Sequence, residues 1–116
     1  MTIELTAPSG ADTQPTNVAT SDVGSAESDY ERTAVVGRAL ADPKRLCVLE
    51  SLSNGELSVS ELAGRVACQV PNMSQHLAVL RAAGLVSTRR EGSTVFYRLA
   101  DPRVLEAYAL LQSIAR

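Results

Sequence analysis

Asn72, Ser74 and Gln75 stand close together in the chain, followed by Ala78 and Arg81. Side-chain amides and small hydroxyls are the groups that contact base edges in the major groove of DNA. Met73, Leu77 and Leu80 recur at i, i+4 and i+7, so a helix over this stretch buries them and leaves Asn72, Ser74, Gln75, Ala78 and Arg81 facing outward. His76, the single histidine, lies on the same stretch. Its position suggests DNA-side packing or a phosphate contact, with plain packing an equal alternative. Downstream, Arg89, Arg90 and Arg98 carry guanidinium groups suited to forked hydrogen bonds with phosphate. The bland alternative is a solvated strand face.

The two cysteines are the other reactive groups, and in a chain with no export signal they are expected to be free, redox-active or metal-binding rather than bridged. With Leu46, Leu49 and Leu52 on the buried side of a helix, Cys47 falls almost opposite, among Lys44, Glu50 and Ser51, and should face solvent or a partner. Cys68 reads as a small buried hydrophobe in a turn. Oxidation, persulfidation or capture of a thiophilic metal at Cys47, with or without Cys68, would make a thiol switch. The competing view gives neither cysteine a role and places regulation in an organic ligand or a partner protein. No nucleophile with a paired base, no Gly-rich phosphate loop and no spaced carboxylate pair points to catalysis.

The elements that position these groups have legible signals. Ser58-Val59-Ser60-Glu61 is a capping box that opens a helix to about Val66. After a turn at Ala67-Cys68-Gln69, a second helix starts near Val70-Pro71 and stops at Gly84. Leu85 to Arg90 and Thr94 to Leu99 read as strands joined by the turn residues Glu91-Gly92-Ser93, a hairpin wing. Ser28-Asp29-Tyr30-Glu31 is a further capping box, opening a helix to about Leu40. Asp42-Pro43 opens a helix to about Ser53, and Asp101-Pro102 opens the last, to Ala115. That last helix carries Val104, Leu105, Tyr108, Leu111 and Ile114, more apolar surface than a small domain needs at its end, and a homodimer seam is its expected use. The fold class is mainly α with a β-hairpin wing, a winged helix-turn-helix in the order α-α-α-α-β-β-α.

With 116 residues and 45% apolar content the chain can build one modest core. Residues 1–28 are rich in Thr, Ser, Ala, Gly, Asp and Pro without periodicity and read as a flexible acidic tail, leaving 29–116 as the DNA-binding and dimerisation domain. A net charge of −2 looks wrong for a DNA binder until it is divided along the chain. Residues 1–32 hold six acids against one base, whereas 33–116 hold ten bases against seven acids. Positive charge therefore concentrates where counterion release would drive association with double-stranded DNA. No basic, then apolar, leader follows Met1 and no run is long enough to span a bilayer, so the expected compartment is the cytoplasm and no membrane partner is expected. Winged helices can also serve as protein-interaction modules, which keeps that alternative open.

From Asp29 to Arg116 the chain resembles the ArsR/SmtB winged-helix repressors. The likeness rests on Ala39-Leu40-Ala41-Asp42-Pro43-Lys44-Arg45-Leu46, Leu57-Ser58-Val59-Ser60-Glu61-Leu62-Ala63, Met73-Ser74-Gln75-His76-Leu77-Ala78-Val79-Leu80-Arg81-Ala82-Ala83-Gly84-Leu85-Val86 and Arg90-Glu91-Gly92-Ser93-Thr94-Val95-Phe96-Tyr97-Arg98-Leu99. It implies a homodimer that occupies an inverted-repeat operator and leaves it when an inducer binds. The metal sites common in that family are missing from the sequence, and no cofactor is expected. Ser58-Val59-Ser60 replaces the usual Cys-Val-Cys, and hydroxyls are poor ligands for soft metals. Asp101 survives from the other site but is better explained as a helix cap, and one histidine cannot build a cluster.

Overall fold

The computed structural model describes residues 20–116, with side-chain surroundings described from Ser28 onward; residues 1–19, most of the expected tail, lie outside it. The elements run α1 (Thr20–Ala39), α2 (Pro43–Ser51), a 3₁₀ turn at Leu52–Asn54, β1 (Leu57–Ser58), α3 (Val59–Val66), α4 (Val70–Ala82), β2 (Val86–Glu91), β3 (Thr94–Leu99) and α5 (Arg103–Ala115). Contacts divide the chain after Ala34, so that α1 up to that point belongs to one unit and Val35–Arg116 forms another.

Two expectations about the N-terminal region change. Helix α1 begins at Thr20 rather than at Ser28. The Ser28 capping box does not form, because a box needs a non-helical first residue and Ser28 sits inside the helix. Ser28 Oγ instead accepts from Arg32 Nη1 at 2.7 Å, and Asp29 pairs with Arg32 at 2.8 Å, a solvent-side i, i+3 contact.

The other start signals form as the residues dictate. Asp42 stands in an extended conformation and its carboxylate accepts the backbone N–H groups of Lys44 and Arg45, with Pro43 in the first helical position. At α3 the capping box is complete: Glu61 N–H donates to Ser58 Oγ at 3.2 Å and Ser58 N–H donates to Glu61 Oε1 at 2.8 Å. Helix α5 starts one residue later than expected, yet Asp101 Oδ1 still accepts the Arg103 N–H at 2.9 Å. At the end of α4, Gly84 has φ +79°, its N–H bonds to Arg81 O, and Leu85 N–H reaches back to Leu80 O. This is the paired closure that left-handed glycine permits, with buried Leu80 and Leu85 at its apolar contact.

The core of Val35–Arg116 is built from Val48 and Leu49 of α2, Leu62 of α3, and Met73, Leu77 and Leu80 of α4, all with no solvent exposure. Each buried side chain of this size stabilises by about 1.5–3 kcal/mol relative to exposure. The sheet holds three strands rather than the expected two, in the order β1-β3-β2. The third is a two-residue antiparallel pairing of Leu57 with Tyr97 and Ser58 with Phe96, too short to leave a period in the sequence.

Candidate nucleic-acid interface

Helices α3 and α4 are joined by a turn whose geometry sets the reading helix. Ala67 adopts φ 56°, ψ 55°, the left-handed region, with Cys68 N–H bonded to Ala63 O at 2.9 Å. Lys44 Nζ adds donors to the Val66 and Ala67 carbonyls at 3.4 and 3.3 Å, tying α2 to the same turn. Helix α4 then leaves with Met73, Leu77 and Leu80 fully buried and Asn72, Ser74, Gln75, Ala78 and Arg81 exposed, the division expected from their spacing.

His76 does not share that freedom. It is half-buried, and its Nδ1 lies 3.3 Å from Arg45 Nη1. Guanidinium only donates, so Nδ1 must accept and the ring proton sits on Nε2. Arg45 also donates Nε to Ala39 O at 2.8 Å and Nη2 to Arg38 O at 2.9 Å. One side chain thus binds the C-terminal carbonyls of α1 and the reading helix. Asp42 caps the same corner; partial burial would raise its pKa, but the backbone N–H groups of Arg45 and Lys44 and the charge of Arg45 outweigh that and hold it below the ordinary carboxylate value. Nothing in local periodicity marks Arg45, because its partners are distant along the chain.

The wing separates the three arginines that the sequence groups together. In the β2–β3 register Ser87 faces Arg98, Arg89 faces Phe96 and Arg90 faces Val95. Successive side chains alternate across a sheet, so Arg89 and Arg98 share one face and Arg90 lies on the other with Thr88, Val95 and Tyr97. Tyr97 and Val95 line a cleft of about 470 Å³ with Ser58, Ser60, Ser74, Ser93 and Thr94, where α3, α4 and the wing tip meet. Arg90 therefore stands on the pleat face nearest the reading helix. Ser60, Ser93, Thr94 and Tyr97 are additions to the site; strand parity recovers Tyr97 once the register is known, whereas Ser60 on α3, Ser93 in the turn and Thr94 at the strand's first position are brought in by the tertiary fold. On the opposite face Arg89 pairs with Glu56 at 2.8 Å and Glu91 at 3.0 Å, and Arg98 Nε donates to Ser87 Oγ at 3.2 Å. Hydrogen bonds from Arg89 hold the Glu56 carboxyl below its ordinary range, and the two carboxylates push the Arg89 guanidinium up.

Both cysteines are free and half-buried. Cys47 packs against the core rather than facing solvent, because α2 is met by α3, α4 and α5 and its buried arc is wider than the leucine stripe suggests. Cys68 packs there too, with Sγ 3.5 Å from Gln69 O, as its reading as a small hydrophobe anticipates. Among the described residues no group of three or more His, Cys, Asp or Glu could hold a metal ion. On α5, Val104 is buried in the core and so leaves the expected seam, while Leu105 and Tyr108 are half-buried. Leu110, Leu111 and Ile114 remain exposed, Ile114 at 79%. No helix among the described residues is long and apolar enough to cross a membrane.

Comparison with known proteins bears on this arrangement directly. Residues 42–88 match the model of the bacterial regulatory protein, arsR family. The chain is 55% identical over 69 residues to the HTH-type transcriptional regulator KmtR of Mycobacterium tuberculosis, a match spanning 60% of this chain and 53% of that one. It is 40% identical over 88 residues to the biofilm growth-associated repressor of Agrobacterium fabrum, covering 76% and 75% of the two chains. A solution structure of a homodimeric winged helix-turn-helix DNA-binding domain from Mycobacterium bovis superposes with a TM-score of 0.72 at 37% identity, covering 84% of this chain and 89% of that one.

Proposed function

Because the chain belongs to the ArsR family and is a DNA-binding transcriptional regulator rather than an enzyme, we propose that it acts as a cytoplasmic homodimeric repressor on an inverted-repeat operator. The observation that carries this reading is the exposed polar face of α4, its apolar face fully buried, with Arg90 exposed on the pleat face whose Val95 and Tyr97 line the cleft with Ser74. Asn72, Ser74 and Gln75 contact base edges, with Ala78 offering its methyl group, while Arg81 and Arg90 contact phosphate; Arg98, on the wing face shared with Arg89, is left out of that contact. His76 adds to the DNA side through Nε2–H. Helix-turn-helix dimers place two such faces about 34–36 Å apart, which matches a two-fold operator. The exposed Leu111 and Ile114, flanked by Leu105 and Tyr108, supply the dimer seam.

Replacing Asn72, Ser74 or Gln75 by alanine should cost about 1–3 kcal/mol per good contact and relax sequence preference. Titrations of the purified protein on its own upstream duplex and on scrambled duplexes check this; equal losses on every sequence would refute base reading. Release runs through thiol chemistry at Cys47 or Cys68, both free and neither fully buried. A Cys47→Ser/Cys68→Ser variant should then hold the duplex under peroxide or arsenite while the wild type lets go. Identical responses would sink the thiol route.

A further inference from the structure

One charged cluster lies outside the DNA-reading surface. Arg89 sits on the wing face turned away from the cleft, and its guanidinium is occupied on every nitrogen. Nε donates to both oxygens of Glu56 at 2.9 and 3.0 Å, Nη2 meets Glu56 Oε1 at 2.8 Å and Nη1 donates to Glu91 Oε1 at 3.0 Å. The plane also lies 5.0 Å from the Phe96 ring centroid, within cation–π range. Two carboxylates against one guanidinium leave this spot a poor partner for phosphate. Glu56, between Gly55 and β1, belongs to the segment that leads into α3, so the fork joins the entrance of the helix pair to the middle of β2.

We infer that Arg89 is a positioning residue for DNA binding: its fork to Glu56, stacked on Phe96, fixes the wing relative to α3 and α4 so that Arg90, one residue on and on the opposite face, meets the phosphate backbone. The inference rests on the DNA-contact reading above and assigns Glu56 a role in binding although its charge repels DNA. A planar fork on two oxygens and an aromatic face constrains orientation more than a single point contact would.

The test is duplex binding by the full chain across a series of KCl concentrations. Arg90→Ala should lower the slope of log affinity against log salt by about 0.9, one phosphate contact. Arg89→Ala should weaken binding severalfold with the wild-type slope kept. Glu56→Gln should also weaken binding, even though it removes a negative charge beside the DNA. The charge-exchanged Glu56→Arg/Arg89→Glu protein should regain most of the affinity that Arg89→Glu alone loses. Tighter binding by Glu56→Gln, or a slope about 0.9 lower for Arg89→Ala, would overturn the inference, since both are what a phosphate-contacting Arg89 held back by Glu56 gives. The wild-type and Arg90→Ala curves check the DNA-contact reading separately from the brace.

Discussion

Arg45 shows how much one side chain can organise at this interface. It donates to Ala39 O, Arg38 O and His76 Nδ1 at once, joining the end of α1 to the reading helix. Hydrogen bonds from a charged donor are worth about 1.5–3 kcal/mol, so Arg45→Ala should destabilise the fold by that order in chemical denaturation and weaken DNA binding further than stability alone accounts for. His76→Ala should reproduce the binding loss with a smaller stability loss; equal effects of both variants on binding and stability would remove the link. The exposed polar face of α4 was legible because helical spacing sorts Asn72, Ser74 and Gln75 from Met73, Leu77 and Leu80 without any knowledge of partners. The role of Arg45 was not, since its contacts span 6, 7 and 31 residues of sequence. Arg89 lies between these cases. Strand parity alone separates it from Arg90, but Glu56 is 33 residues away and no local pattern names it.

At the scale of elements, the same four-residue motif gave two outcomes. The box at Ser58 forms because β1 delivers Ser58 in an extended conformation, whereas the box at Ser28 is overrun by a helix already begun at Thr20. Local chemistry marks a site where a helix can start; what precedes it decides whether one does. Two caps lend themselves to measurement. Asp42→Ala should cost about 1 kcal/mol, while Asp42→Asn, an equally good cap, should cost little. Because the folded pKa of Asp42 lies below its ordinary value of 3.8, its contribution is complete above that value and fades as pH falls through the folded one. Acid titration of stability should therefore be shallower in Asp42→Asn than in wild type. At the α3–α4 turn, Ala67 holds a left-handed conformation that costs an L residue roughly 1–2 kcal/mol, part of which glycine would return. Ala67→Gly should raise the unfolding midpoint, and a lower midpoint would show that flexibility gained in the unfolded chain dominates.

For the whole molecule, the sequence assigned five α5 residues to a dimer seam and the fold takes Val104 back for its own core. Helical periodicity shows which residues share a face but not how that face is divided between the core and a partner. Leu110, Leu111 and Ile114 are left exposed on one chain. Leu111→Asp or Ile114→Asp should convert a dimer to a monomer in sedimentation equilibrium while leaving the fold intact by circular dichroism, and should weaken operator binding by removing the second half-site. By contrast Leu62→Ala, at a fully buried site, should cost about 2–5 kcal/mol in stability.

The wing pairing has one more consequence. Slipping β2 by a single residue against β3 would turn every side chain of β2 to the other face. Arg90 would then meet Glu56, and Arg89 would take its place beside Val95 and Tyr97. Because Arg89 and Arg90 are chemically identical, charge alone would not distinguish the two pairings. The difference must come from their neighbours: Val86 would leave the core, and Glu91 would no longer flank the fork. The repeated arginine is thus an ambiguity in the hairpin's own code, and Val86 and Glu91 are the residues that resolve it.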